Sequence, residues 1–180
     1  YLREHLRPGE RFSHTMNIEG SGMTSFPLHR TIRVPARLSE VFPFFADPMN
    51  LDLLTPPWLG FRILTPAPIT MEVGTLIEYR LRLHGIPIRW RTEITAFEPP
   101  YRFVDRQVRG PYREWIHEHV FEEVDGHTII IDNVHYAVPG GRVVHSFFVK
   151  HDLQRIFDYR HARIVERFPA PIPAPSAHGV

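Results

Sequence analysis

Apolar and polar residues alternate along much of the chain after residue 75, and this two-residue period is typical of half-buried β-strands. In the first such segment Ile77, Tyr79 and Leu81 share one face, while Glu78 and Arg80 share the other. Strands are predicted over Leu28–Val34, Phe61–Leu64, Thr75–Leu83, Ile86–Phe97 and Tyr101–Arg109, followed by two more between Trp115 and Tyr136. The pattern therefore predicts about six to seven antiparallel strands with one face exposed to water.

The last two predicted strands form a hairpin around the dipeptide Asp125-Gly126, which is a strong signal for a two-residue turn. Such a turn pairs Val124 with His127 and thereby fixes the register of both strands. In that register Phe121 lies opposite Ile130, His119 opposite Asp132, His117 opposite Val134, and Trp115 opposite Tyr136. Because directly opposed residues have Cβ atoms about 4.5–5.5 Å apart, we expect contact between His119 and Asp132.

Three segments have a helical pattern rather than an alternating one. Two short helices are predicted over Leu38–Ala46 and Leu51–Leu54, after the first strand, and a long one over Gly141–Phe168. One apolar stripe runs along the long helix and consists of Val149, Leu153, Ile156, Phe157, Ile164 and Phe168. Because the apolar face of the sheet needs a cover, we predict an α+β fold in which a curved antiparallel sheet wraps around this C-terminal helix.

The length of 180 residues suits one domain with a sizeable core. Residues 1–26 are polar and lack periodicity, so we expect a poorly ordered N-terminal extension. The proline-rich segment 169–180 is expected to be a disordered tail, which leaves residues 27–168 as the folded domain.

Composition excludes several classes of function. A formal net charge of +1 does not favour binding to nucleic acid. The absence of cysteine excludes disulfides and thiol catalysis, and it fits a cytoplasmic protein. No apolar run approaches the roughly 20 residues of a membrane span, so no transmembrane segment is expected.

Polar residues occupy inward positions of the hairpin where a core is usually apolar. A hydrogen-bonded pair of His119 and Asp132 that only stabilises the hairpin would explain the pattern without any ligand. The alternative is an imidazole that is oriented by Asp132 and acts as a general acid or base on a bound substrate. Both interpretations stay open, and His119 and Asp132 are the candidate catalytic residues.

Metal binding is a further possibility, because His117 and His119 have the spacing of two ligands on one strand face. Asp132 is the only convenient third ligand, and the sequence shows no fourth, so we expect no metal. No cofactor motif is present either, and we expect no cofactor.

Aromatic residues on the inner face of the sheet are the candidate walls of a ligand cavity beneath the long helix. The predicted ligand-binding residues are Trp58, Tyr79, Trp90, Phe103, Gln107, Trp115, His117, His119, Asp132, Tyr136, Phe157 and Arg160. Trp58 lies at an apolar loop tip and is predicted to be a lid, with a membrane contact or a partner contact as alternatives. Arg160 interrupts the apolar stripe, and either its guanidinium reaches water or it is buried against an interior carboxylate or a ligand.

Several motifs of this chain resemble those of the START-like or helix-grip superfamily, also called SRPBCC. The motifs are Arg33-Val34-Pro35-Ala36, Asp47-Pro48, Leu54-Thr55-Pro56-Pro57, Arg89-Trp90-Arg91, Trp115-x-His117-x-His119-x-Phe121, Asp132-x-Val134-x-Tyr136, and Ile156-Phe157-Asp158-Tyr159-Arg160-His161. The resemblance covers about residues 28–168 and is greatest to small bacterial proteins described as ligand-binding SRPBCC or polyketide cyclase/dehydrase-like.

That resemblance implies a deep pocket between the sheet and the long helix for a hydrophobic or amphipathic small molecule. Polyketides, quinones, sterol-like compounds and acyl lipids are the ligand classes that it suggests. We expect a carrier or sensor rather than an enzyme. The alternatives are a cofactor-independent aromatase/cyclase or dehydrase that uses the His119–Asp132 pair, and a structural or interaction domain with a closed core. The sequence identifies no protein partner.

Overall fold

The computed structural model describes residues 24–170, so most of the predicted N-terminal extension and tail lies outside the described residues. Its seven strands are β1 (Ser25–Val34), β2 (Arg62–Ile63), β3 (Leu76–Leu83), β4 (Ile86–Glu98), β5 (Arg102–Arg109), β6 (Glu114–Val124) and β7 (His127–Ala137). They form one antiparallel sheet in the order β1-β7-β6-β5-β4-β3-β2. The predicted α+β architecture, with the sheet wrapped around a C-terminal helix, is confirmed.

Short helical segments connect the first two strands. Helix α1 (Leu38–Phe45) packs Val41 and Phe42 into the core, and α2 (Leu51–Leu54) has the predicted bounds. Turns of 3-10 helix, Pro48–Asn50 and Pro57–Leu59, flank α2. None of the helices between residues 24 and 170 is long and apolar enough to cross a membrane.

The hairpin of β6 and β7 has the predicted register, including His119 opposite Asp132 and Trp115 opposite Tyr136. Its turn residues Asp125 and Gly126 have φ angles of 52° and 72°. Positive φ at both central residues is the signature of a type I′ turn, whose twist matches that of the flanking strands. The turn chemistry therefore places both histidines on the inner face of the sheet.

The C-terminal helix is not uniformly α-helical, contrary to the prediction of one helix over Gly141–Phe168. A π-helical segment (His145–Val149) joins α3 (Gly141–Val144) to α4 (Lys150–Arg167). A π turn contains more residues than an α turn, so the residues before it do not share the phase of the α4 stripe. The first residue of this segment, His145, contacts two strands of the sheet. Its ring stacks on Phe26 of β1, and its Nε2 lies 3.0 Å from the Tyr136 hydroxyl of β7.

Strand β1 begins at Ser25, three residues before the predicted start at Leu28. Its pairing with β7 continues as far as Ala137, so Ser25 and Phe26 belong to the sheet and not to the expected disordered extension. Strand β1 is therefore longer than the apolar alternation of its sequence predicts.

Two apolar clusters form the core. One surrounds α1 and includes Phe121, and the other lies under the first turns of α4 and includes Trp115. Along the inner face of β6, His117 and His119 lie between Trp115 and Phe121 and are themselves buried. A buried polar group therefore separates the two apolar clusters.

Three arginines form a row on the outer face of the sheet. Arg62 of β2 lies opposite Arg80 of β3, and Arg80 lies opposite Arg89 of β4. All three are exposed, and within residues 24–170 none of them forms an ion pair. On the same face Arg91 is paired with Glu78, with 3.6 Å between the charged atoms. Like charges directly opposite one another destabilise a sheet.

Candidate functional site

Four polar side chains from three neighbouring strands meet on the inner face of the sheet. Asp105 of β5 lies directly opposite His117 of β6, and Asp132 of β7 lies directly opposite His119. Because alternate residues of a strand face the same side, His117 and His119 stand side by side, with ring centroids 3.8 Å apart. The two histidines are therefore enclosed between two carboxylates.

Asp132 contacts one nitrogen of each imidazole. Its Oδ1 lies 3.0 Å from His117 Nε2, in a hydrogen bond, and 2.8 Å from His119 Nδ1. The second contact is short, but its angle is poor for a hydrogen bond, so His119 Nδ1 has no aligned partner among the described residues. We interpret it as a close electrostatic contact.

Asp105 faces the other two nitrogens. Its Oδ2 lies 3.3 Å from His119 Nε2 and 3.7 Å from His117 Nδ1. The hydroxyl of Thr92 on β4 donates a hydrogen bond of 3.1 Å to the other carboxylate oxygen, Oδ1. Asp105 is therefore held from both sides while its carboxylate remains at the wall of the cavity.

Arg160 supplies a positive charge from α4. Its Nε lies 3.5 Å from Asp132 Oδ2, and its guanidinium lies over the Phe45 ring at 5.4 Å. The side chain is only 11% exposed, so this is the buried guanidinium of the two predicted alternatives. A buried carboxylate without such a partner would be strongly destabilising.

The charges of the carboxylates are fixed by these neighbours. Burial by itself raises the pKa of Asp132, but the Arg160 charge, the hydrogen bond from His117 and the close contact with His119 hold that pKa well below its usual range. Burial likewise opposes ionisation of Asp105, yet the hydrogen bond from His119 and the nearby imidazole charges lower its pKa. Both carboxylates are therefore ionised near neutral pH.

The two imidazoles have different proton affinities. Burial and the neighbouring His119 lower the pKa of His117, although Asp132 opposes the shift. Burial also disfavours the charged form of His119, but its contacts with Asp105 and Asp132 prevail and raise its pKa. His119 is therefore the more basic of the two imidazoles.

A cavity of about 190 Å³ lies between the inner face of the sheet and α4. Asp105, His117 and His119 form a polar patch on a wall that is otherwise mostly apolar. Leu81 of β3 and Leu153 of α4 contribute to that apolar lining. A mostly apolar cavity with a few placed polar groups is typical of a small-molecule site.

Aromatic rings form one wall of the cavity. Trp90 stacks with Tyr79 at a centroid distance of 5.8 Å and contacts Trp115 edge-on at 5.4 Å. The Nε1 donor of Trp90 is buried and has no hydrogen-bond partner in the described part of the chain. A buried donor without a partner is costly, so a ligand with an acceptor at this wall would be favoured.

Eight of the twelve predicted ligand-binding residues line the cavity. They are Tyr79, Trp90, Phe103, Trp115, His117, His119, Phe157 and Arg160. Asp132 lies behind the histidines, and the Tyr136 hydroxyl is directed to His145. These two residues are not part of the lining.

Gln107 and Trp58 also lie outside the cavity lining. The Gln107 amide donates to the carbonyl oxygen of Tyr112 at 2.7 Å, so this side chain closes the connection between β5 and β6. Trp58 is 51% exposed and packs against Tyr159 and Arg155 on the outside of α4. Its role as a lid stays a prediction.

Asp105 is the important residue that the predicted site omitted. The alternation of β5 places it inward with Phe103, which was the available signal. The pairing of β4 with β5 contains register shifts between Arg91 and Thr92 and between Ile94 and Ala96. The β5–β6 pair, to which Asp105 and His117 belong, has a regular register. Its strands are joined by residues 110–113 and not by a two-residue turn, so the sequence did not fix that register.

Known proteins match the structure and not the sequence. No protein-family model and no curated protein matches the chain. The Zhui aromatase/cyclase from Streptomyces sp. has a TM-score of 0.63 and 14% identity over 80% of this chain and 93% of its own. Ginseng major latex-like protein 151 from Panax ginseng has a TM-score of 0.61 and 11% identity over 83% and 100%.

A protein from Mycobacterium smegmatis, Ms6760, has a TM-score of 0.58 and 17% identity over 78% of this chain and 89% of its own. At identities this low the likeness shows the fold alone. The chain has the START-like helix-grip fold that the sequence motifs predicted.

Proposed function

We propose that the protein binds a hydrophobic or amphipathic small molecule in the cavity between the sheet and α4, as a carrier or sensor. The observation that carries the proposal is an apolar cavity whose wall includes the Asp105–His117–His119 patch. The apolar lining favours the body of such a ligand, and the patch can pair with one polar end. The unpaired Trp90 donor offers a second polar contact.

The volume of the cavity limits what fits in this conformation. About 190 Å³ is only slightly larger than an engineered apolar cavity of roughly 150 Å³ that binds benzene. A compound of one or two rings therefore fits, as does one segment of a polyketide, quinone, sterol-like or acyl compound. Larger ligands require displacement of side chains in the wall.

A cavity-filling substitution tests this proposal. In Leu81→Trp an indole occupies part of the cavity, and we expect at least a tenfold loss of affinity for the two-ring dye Prodan, measured by its fluorescence. The matched control is Leu76→Trp, because Leu76 is an exposed residue of the same strand. Native mass spectrometry of wild-type protein purified from its own host should show a bound compound.

Equal dye binding by both variants and the wild type would contradict the proposal. So would an absence of dye binding together with no co-purified compound, because the protein would then be a structural or interaction domain with a closed core. Circular dichroism of each variant shows whether the fold is retained.

A second candidate function is acid–base catalysis of cyclisation or dehydration without a cofactor. It is favoured by the 3.3 Å contact between His119 and Asp105 at the cavity wall, where an oriented imidazole could exchange a proton with a bound substrate. In His119→Gln, turnover of the co-purified compound should fall by about 10²–10⁴ with affinity retained. His135→Gln, on the outer face of the same hairpin, is the control. If wild-type protein converts nothing, the carrier function remains.

A further inference from the structure

The nitrogens of His117 and His119 are divided between the two carboxylates. One nitrogen of each ring lies within 3.0 Å of Asp132 Oδ1, and the other lies within 3.7 Å of Asp105 Oδ2. A neutral imidazole has one N–H donor and one nitrogen lone pair. The position of the two ring protons therefore decides what faces Asp105.

Asp132 lies close enough to take one ring proton from each imidazole. It is 2% exposed, faces Arg160, and offers a single oxygen to both rings. With both N–H groups on the Asp132 side, the lone pairs of His117 Nδ1 and His119 Nε2 face Asp105 Oδ2. Three electron-rich atoms then lie around one point, and a metal ion between them would take the place of the proton that His119 otherwise shares with Asp105.

The spacing of these three atoms suits a metal ion. Asp105, His117 and His119 each offer one ligand atom within 4.8 Å of the other two. Asp105 Oδ2 lies 3.3 Å from His119 Nε2 and 3.7 Å from His117 Nδ1. Ligand atoms about 2.0–2.1 Å from a zinc ion, at a tetrahedral angle, lie about 3.3 Å apart. Small side-chain adjustments therefore complete the geometry.

We propose that Asp105, His117 and His119 bind a divalent transition-metal ion, zinc or ferrous iron, at the cavity wall. Two imidazoles and one carboxylate are a ligand set that suits these ions. Asp132 orients both rings from behind, as carboxylates do for metal-bound histidines. The expectation of no metal considered only Asp132 as the third ligand, and the structure supplies Asp105 in its place.

The site leaves part of the coordination sphere for a ligand. Its three residues all line the cavity, so at least one open position faces the cavity. Arg160 compensates Asp132, and Asp105 neutralises only one of the two metal charges. The residual positive charge favours a carboxylate, enolate or phenolate oxygen. Metal binding itself does not depend on the proposed apolar ligand.

Zinc titration of the 180-residue chain tests the proposal. The protein is prepared without a tag and treated with a chelator, because its twelve histidines already offer weak surface sites. Calorimetry should show one zinc ion per chain with a dissociation constant in the micromolar range or tighter. Cobalt(II) should give an absorption spectrum of low coordination number, and zinc should raise the thermal midpoint of the wild type.

Substitutions assign the binding to these residues. Asp105→Asn should weaken zinc binding by more than about 100-fold, and Asp132→Asn by about 10–100-fold, because it acts through the imidazoles. His84→Gln is the matched control, since His84 forms an exposed pair with Asp152 outside the cavity. Its affinity should equal that of the wild type.

Equal affinity in the wild type and Asp105→Asn would overturn the proposal, as would no stoichiometric binding to the wild type. If Asp105→Asn does not fold, the cobalt spectrum decides, because it reports the ligand set of the unchanged protein. A spectrum of hexa-aqua cobalt would exclude the site. Such a failure leaves the dye-binding result unaffected.

Discussion

Arg160 brings a positive charge into the interior, and its neighbours determine what happens when it is removed. Its Nε lies 3.5 Å from an Asp132 carboxylate that is almost fully buried. The two histidines contact the same carboxylate, but the charge of an imidazole changes with pH, whereas a guanidinium stays protonated. The guanidinium is therefore the permanent counter-charge of Asp132.

Arg160→Leu should destabilise the protein by about 3–5 kcal/mol, because it leaves a buried carboxylate without that counter-charge. Urea denaturation measures the loss. The control Arg155→Leu, on the exposed side of α4, removes a cation–π contact with Trp58 and should cost less than about 1 kcal/mol. Adding Asp132→Asn to Arg160→Leu should restore part of the stability. Equal losses for Arg160→Leu and Arg155→Leu would contradict this account.

The position of a single residue was predictable where it depended only on which face of the sheet the side chain occupies. Alternation alone places His117, His119 and Trp90 inward, and these residues do line the cavity. The alternation of a strand gives no information on whether an inward side chain reaches the cavity or a neighbouring group. Tyr136 and Asp132 face inward for the same reason, but the Tyr136 hydroxyl contacts His145, Asp132 contacts the histidine rings, and neither residue lines the cavity.

Among the elements, the β6–β7 hairpin was predictable to the residue because one turn sets its whole register. Asp125-Gly126 adopts positive φ angles easily, and no bulge interrupts the pairing. The β5–β6 pair is joined by residues 110–113 and not by a two-residue turn, so Asp105 could not be assigned its partner His117. The π-helical segment was also unpredictable, because it depends on the contact of His145 with another element.

The arginine row on β2, β3 and β4 should lower the stability of the sheet. Arg80→Gln removes the central charge, and we expect the free energy of unfolding to rise by a few tenths to about 1 kcal/mol at low ionic strength. The gain should shrink as salt is added, because exposed charges are screened. In contrast, Arg91→Gln removes a charge that is paired with Glu78 and should not stabilise the protein. An unchanged free energy of unfolding for Arg80→Gln at low salt would show that the three guanidinium groups lie too far apart to repel one another measurably.

At the scale of the whole molecule, the fold was predictable because every level of the sequence agreed on it. The sequence predicts strands with alternating polarity, a type I′ turn and a long helix with one apolar stripe. Few arrangements other than a sheet around that helix bury all of these apolar faces. The cavity was not predictable, because residue types do not determine whether facing side chains meet. If the sheet and the helix lay slightly closer together, the same large apolar residues would fill the core and leave no cavity.

The cavity has a consequence for the volume of the protein. A void between sheet and helix disappears when the chain unfolds, so unfolding should reduce the system volume, typically by about 20–100 mL/mol, and hydrostatic pressure should promote it. Tryptophan fluorescence under pressure measures this change. Leu81→Trp should make it less negative, Leu76→Trp should leave it unchanged, and a bound ligand should act like the first substitution. Pressure thus reports whether the cavity is filled, without any knowledge of the compound that fills it.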